Sequence, residues 1–298
     1  MKRFVLAAVF LFALAAQAKV NVVATVNDLG ELVKEVGGDN VELTVLAKPT
    51  QDPHFVDAKH SLVISLARAD LVVQMGMELE VGWLPTLLTS SRNGKIQVGS
   101  PGNLDCSTFI RPLDVPTVKI ERSMGDIHPA GNPHYTKDPR NGIAIAKGIA
   151  ARLSEIDPEH SNAYAANAAK FEASLNGKIS EWQKAFAPYK AAPIITFHQS
   201  WKYFSDWAGL TEVAYMEPKP GLPPSAQHVA EVIVAGRQKH AKLILQEEWY
   251  SAQTSQLVAD KTGAALVVVS GMVPEGQTYA QYLDSLVQKT TAALAGTK

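Results

Sequence analysis

The 298-residue chain has one cysteine, no surplus of either charge and a single apolar run of note, and each shortage removes a class of protein. Cys106 has no partner for an intramolecular disulfide, so neither a disulfide framework nor a cysteine-based zinc site can be built; a half-buried structural thiol is expected. Lys and Arg total 28 against 29 Asp and Glu, a formal charge of −1, which argues against a polyanion-binding surface and so against a nucleic acid partner. No HExxH or CxxC occurs, which removes the common metalloprotease and zinc-finger signatures. The remainder, 46% apolar and 19% charged, is ordinary globular composition, long enough for one large domain or two lobes.

The apolar run sits at the start. Lys2 and Arg3 precede 13 apolar residues, Phe4 to Ala16, and Ala16-Gln17-Ala18 supplies a small-x-small cleavage site. The run is shorter than the ~20 residues that cross a bilayer. Residues 1–18 are therefore expected to be a signal peptide, with the mature chain beginning at Lys19 and no stable membrane insertion after cleavage. Without Lys2 and Arg3, 26 basic residues face 29 acidic ones, a mature charge of −3. No cysteine follows the run to accept a lipid. A free periplasmic protein, not a lipoprotein, is the expectation.

Beyond the leader, β-rich and helical segments alternate, the pattern of parallel sheets faced by helices. Strands are expected at Val20 to Val26, Val41 to Ala47 and Asp70 to Met75, with helices from Asn27 as cap to Gly37-Gly38, Ser61 to Ala69 and Leu79 to about Leu88. Residues 104–133 read as irregular. The pattern restarts with strands Ile194 to Phe197, Thr211 to Met216, Leu243 to Gln246 and Ala265 to Val269. Helices are expected at Ser200 to Ala208, after the cap Ser225, near Ala252 to Thr262 and from Tyr279. Between the halves, Tyr164, Ala168, Phe171, Leu175, Ile179, Trp182 and Phe186 recur at steps of 4, 3, 4, 4, 3 and 4, a helical apolar stripe introduced by Asp157-Pro158. Unbroken from Pro158 to Ala187 it would be 30 residues, or ~45 Å, with a local kink allowed at Gly177. The domain plan is an N-terminal α/β lobe over 19–157, a linker helix over 158–188 and a C-terminal α/β lobe over 189–298.

Eight histidines are present, and three share a setting. His54 ends Asp52-Pro53-His54 after the second strand, His134 ends Asn132-Pro133-His134, and His198 follows the first strand of the second half. Ligands of open α/β sheets collect beyond the carboxyl ends of strands. Proline fixes its own φ and biases the residue before it, which limits how the following imidazole can wander. Three neutral imidazoles and one oxygen donor would suit Zn²⁺. His128, in Asp126-Ile127-His128-Pro129, is an alternative or transient ligand; His60, His160, His228 and His240 read as solvated. Trp201, Tyr203, Phe204 and Trp207 read as packing, and Glu217 with Lys219 as a structural loop.

Asp52-Pro53-His54, Ala69-Asp70-Leu71-Val72-Val73 with Gly76 and Leu79-Glu80, and Gly131-Asn132-Pro133-His134-Tyr135 with Asp138-Pro139 resemble the first lobe of the metal-specific solute-binding proteins of ABC transporters, cluster A-I type. Phe197-His198-Gln199-Ser200-Trp201, Glu217-Pro218-Lys219-Pro220-Gly221 and Pro223-Pro224-Ser225 resemble the second. The resemblance spans essentially the mature chain. It implies two Rossmann-like lobes with parallel sheets joined by a single long backbone helix, a zinc or manganese ion held between them, no catalysis, and a monomer that delivers the ion to a permease with its cytoplasmic ATPase. His54, His134 and His198 match the family's first three ligands. The family's fourth, an aspartate after the last strand, is replaced by Ser270, so Glu247, neighbouring Glu248, His128 or water is left to complete the shell, with Glu247 at the position of an acidic residue the family often keeps. His198, where manganese-specific relatives typically carry Glu, favours zinc over manganese. A zinc-dependent hydrolase and an adhesin are the rival readings.

Overall fold

The computed structural model describes residues 18–118, 120–121 and 125–297. All of the expected leader except Ala18 lies outside them. Strands β1 (Val20–Ala24), β2 (Val41–Val45), β3 (Leu71–Gln74) and β4 (Asn103–Asp105) form a parallel sheet in the order β2-β1-β3-β4. Helices α1 (Asn27–Gly37), α2 (His60–Arg68) and α3 (Leu84–Ser91) belong to the same half. After α4 (Pro139–Ile156) and α5 (Ser161–Phe186), strands β5 (Pro193–Thr196), β6 (Thr211–Tyr215), β7 (Leu243–Glu247) and β8 (Ala265–Val269) repeat the arrangement as β6-β5-β7-β8, again all parallel. The second half adds α6 (Lys202–Ala208), α7 (Ala226–Gln238), α8 (Ala252–Thr262) and α9 (Tyr279–Gly296). The two sheets share one strand order, so each has its crevice beside the carboxyl ends of its first and third strands, where the order reverses. Among the described residues, no helix is long and apolar enough to cross a membrane.

The joining helix is α5, 26 residues or about 39 Å long. All seven stripe residues, Tyr164 to Phe186, are buried, and the helix passes unbroken through Gly177. It begins at Ser161, because Pro158–His160 forms a separate 3₁₀ turn. Asp157 does not cap it. Its carboxylate accepts from the Tyr164 hydroxyl at 2.6 Å and lies 2.7 Å from His160 Nδ1. One apolar cluster runs from β1 and α1 through α4 and α5 to Tyr279, Tyr282 and Leu286 of α9, so the halves share a core as well as a linker.

Three further expectations change. Asn27 lies inside α1 rather than capping it, and its Nδ2 donates across to the Val273 carbonyl at 2.6 Å. Cys106 is fully buried, and burial pushes its thiol well up. The helix expected from Leu79 starts at Leu84, since Met77 and Glu78 adopt left-handed backbone (φ 51° and 64°) and begin a tight turn.

That turn is held by a buried acid. Glu80 accepts from the Thr25 hydroxyl (2.6 Å), Met75 N–H (2.7 Å) and Gly76 N–H (3.2 Å), which ties the ends of β1 and β3 together. Burial raises its carboxyl to about 7 in spite of those bonds. The folded protein keeps a proton that the unfolded chain releases near 4.5, so stability falls as pH rises from there through about 7. At about 1.4 kcal/mol per unit, the loss is on the order of 3 kcal/mol. Glu80→Gln should flatten this part of the profile in urea unfolding at pH 5.5 and 8. Equal losses in wild type and variant would remove Glu80 as its source.

Candidate metal centre

Loops deliver the three histidines, two of them after Pro residues and the third just past a strand. His54 sits in the turn after β2, where its backbone N–H donates to Asp52 Oδ1 at 3.0 Å and the preceding Pro53 carbonyl accepts from Trp83 Nε1 at 2.9 Å. His134 follows an Asn-Pro step in which its N–H donates to Asn132 Oδ1 at 3.0 Å, while Asn132 Nδ2 reaches the Gln199 carbonyl of the second half at 2.7 Å. His198 lies two residues past β5. The ring centroids form a near-equilateral triangle: 5.2 Å from His54 to His134, 5.4 Å from His54 to His198 and 5.2 Å from His134 to His198. One ligand atom from each lies within 4.8 Å of the others. Around Zn²⁺ at about 2.0–2.1 Å, tetrahedral nitrogens stand roughly 3.4 Å apart, a spacing inside the 4.8 Å bound that holds the trio.

Two of the rings are oriented by carboxylates. His54 Nδ1 lies 2.7 Å from Asp52 Oδ1, and His198 Nδ1 lies 2.7 Å from Glu217 Oε2. Such pairing fixes the tautomer and turns the other ring nitrogen towards a ligand. The Nε2 atoms of His54 and His134 are buried with no hydrogen-bond partner. Burial, and then the neighbouring His54 and His198, push His134 well below the usual imidazole range and keep its lone pair free. For His198 burial acts in the same direction, but the bond to Glu217 and its charge outweigh it and raise the ring's pKa. Burial also raises the Asp52 carboxyl, but His54 outweighs it and holds it below the usual range. Two carboxylates one hydrogen bond away balance the charge of one divalent cation.

Glu217, which the sequence reading gave to a structural loop, belongs to the candidate site through its bond to His198. Its signal was the register: β5 pairs with β6 so that Thr196 faces Tyr215, which sets residue 217 beside residue 198. Glu217→Gln should weaken zinc binding about tenfold to a hundredfold in chelator competition at pH 7.5. An unchanged constant would make the contact incidental.

The candidates for the fourth position are dispersed. Glu247, at the end of β7, is 1% exposed; its Oε1 accepts from the Ser200 hydroxyl, its Oε2 has no partner, and it lies outside the set of donors within 4.8 Å of one another. Burial raises its carboxyl against the pull of Ser200 and His198. Ser270 donates to Glu248 at 3.1 Å on the exposed side of the loop. The next residue, Gly271, lies against the Trp249 ring, and a Cβ there would stand 1.9 Å from the ring edge. His128 lines the same cavity as His134 and His198, about 380 Å³ in volume, with its ring 5.5 Å from His54. His60 and His240 are exposed, His160 is paired with Asp157, and His228 lies 3.0 Å from the Tyr215 carbonyl, all away from the cluster. Trp201, Tyr203, Phe204 and Trp207 are buried packing, as expected.

Two parallel-sheet lobes whose loops converge three imidazoles define a protein built to hold a metal ion in a cleft. The chain belongs to the family described as zinc-uptake complex component A, periplasmic, whose model matches residues 22–295. It is 27% identical over 253 residues to the high-affinity zinc uptake system protein ZnuA of Paracoccus denitrificans, covering 74% of each chain. It is 23% identical over 292 residues to the manganese ABC transporter substrate-binding lipoprotein PsaA of Streptococcus mitis, covering 94% of this chain and 91% of that one. A crystal structure of ZnuA superposes with a TM-score of 0.78 at 25% identity, over 93% of this chain and 99% of the other. The resemblance seen in the motifs is thus a family membership.

Proposed function

We propose that the protein captures one divalent cation, zinc in preference to manganese, between its lobes and hands it to an ABC permease driven by a cytoplasmic ATPase. The observation that carries this reading is the convergence of His54, His134 and His198, buried or nearly so, two of them backed by carboxylates. Relatives named for zinc and for manganese both match the chain, so the preference rests on the donors. Imidazole suits zinc, while manganese favours carboxylate and water oxygen.

In this reading Glu247 lies beside the site, one oxygen held by Ser200 and the other unpartnered. Asp52 and Glu217 are committed to the imidazoles they orient, which points to binding and release rather than turnover. Residues 1–18 act as the export leader, 19–157 and 189–298 are the two lobes with 158–188 between them, and the mature protein works as a monomer free in the periplasm. Calorimetry on the metal-stripped protein should show one Zn²⁺ bound per chain and much weaker Mn²⁺ binding. No stoichiometric binding of either ion would end the reading.

A further inference from the structure

One more imidazole in the cleft has the properties of the trio without belonging to it. His128 Nε2 is buried and has no hydrogen-bond partner, as are His54 Nε2 and His134 Nε2. Its ring stands 5.5 Å from the His54 ring, close to the 5.2–5.4 Å spacings within the trio. It forms part of the cavity wall together with His134 and His198. The Met77 backbone hydrogen-bonds the imidazole, the sort of second contact that orients a ligating ring.

We propose that His128 supplies the fourth donor and completes a shell of four imidazoles with no carboxylate in it. The proposal rests on the metal-capture reading and names the residue that sharpens its choice of ion. Ser270 is engaged with exposed Glu248, and Glu247, with one oxygen on Ser200 and the other unpartnered, lies outside the set of donors within 4.8 Å of one another.

The fold supplies a way for His128 to arrive. Its donor atom lies outside the 4.8 Å set, so it has to move inward. The segment that bears it is fastened to both halves. Asp126 N–H donates to the Pro220 carbonyl at 2.9 Å, in the loop whose Glu217 orients His198, and Asn132 N–H donates to the Leu113 carbonyl at 2.8 Å in the first half. A shift of the 217–221 loop, which holds His198 through Glu217, therefore carries the His128 segment with it. An all-imidazole shell disfavours manganese more strongly than one that ends in a carboxylate.

X-ray absorption on the wild-type protein loaded with Zn²⁺ alone tests the assignment without relying on a variant. Four imidazoles per zinc are expected, and three with one oxygen in His128→Gln. That variant should lose at least the tenfold to hundredfold in zinc affinity that removal of an outer-shell partner costs, with manganese affinity little changed. Cobalt loading should show tetrahedral d–d bands in wild type that shift to longer wavelength in the variant, where oxygen replaces one imidazole. Three imidazoles plus an oxygen in wild type, with His128→Gln unchanged in affinity, overturns the assignment and leaves the trio standing. Failure of the wild type to bind zinc at all overturns both.

Discussion

Replacing His134 with alanine should abolish tight zinc binding while leaving the metal-free fold almost as stable as before. Binding at a zinc site is worth about 10–16 kcal/mol in apparent terms. Shared among three imidazoles, the loss of one is on the order of 3–5 kcal/mol, about two hundredfold to several thousandfold in affinity. The stability side runs the other way. His134 is 9% exposed and its Nε2 makes no hydrogen bond, so the folded protein carries an unmet donor or acceptor that costs about 1–3 kcal/mol. Truncation relieves that cost and opens a small cavity in exchange, two effects of similar size and opposite sign. Thermal melts with and without zinc separate them. Wild type should gain ~2.7 kcal/mol at a hundred times its dissociation constant, whereas His134→Ala should show no zinc-dependent rise and a metal-free midpoint within a few degrees of wild type. A variant that still melts later in zinc would remove His134 from the site, and one that collapses without metal would make it a structural residue.

Seven of the eight strands and the helix between the sheets were legible because their signals are periodic and local: β-branched strands, paired glycines at the end of α1, a seven-residue stripe in α5; the three-residue β4 was lost at the edge of the stretch read as irregular. The three histidines were legible because each follows a strand or an Asx-Pro step, and sheet topology then brings strand ends together. Helix α4 escaped. Its Asp138-Pro139 start is as good as any in the chain, and Asp138 does accept from Arg140 N–H at 2.9 Å. Its buried face, however, includes Gly142, Ala146, Gly148 and Ala150, with Gly142 against the Tyr279 ring and Gly148 against Phe109. Ile145, Ile149 and Leu153 do form a short stripe on that face, but the glycines and alanines between them dilute it, and part of the bulk is supplied by distant partners. Glu247 was ambiguous for another reason. All five residues of β7 are buried, so alternation along the strand does not tell which side the carboxylate takes.

The largest stability effect should come from Lys137, which lies three residues past a proposed ligand and is 3% exposed. Its ammonium donates to the Gly271 carbonyl, stands 3.8 Å from Asp28 Oδ2 and lies 5.5 Å over the Trp201 ring and 5.8 Å over Tyr282. Asp28 in turn accepts from the Thr136 hydroxyl and the Val273 N–H, each at 2.6 Å, and the Tyr279 hydroxyl donates to the Thr136 carbonyl at 2.5 Å. This buried network binds residues 271–279 of the second half to the first, directly behind His134. Removing one member of a buried ion pair strands the other, at a cost of about 3–5 kcal/mol. Lys137→Met should therefore lower stability in urea unfolding by that amount. Adding Asp28→Asn should restore part of it, because the stranded charge is then gone. Additivity of the two changes within about 0.5 kcal/mol would show no coupling and would sink the network as a unit. The same variant should release zinc faster in stopped-flow chelation, since the segment leading away from Ser270 is no longer pinned against the lobe that carries His54 and His134.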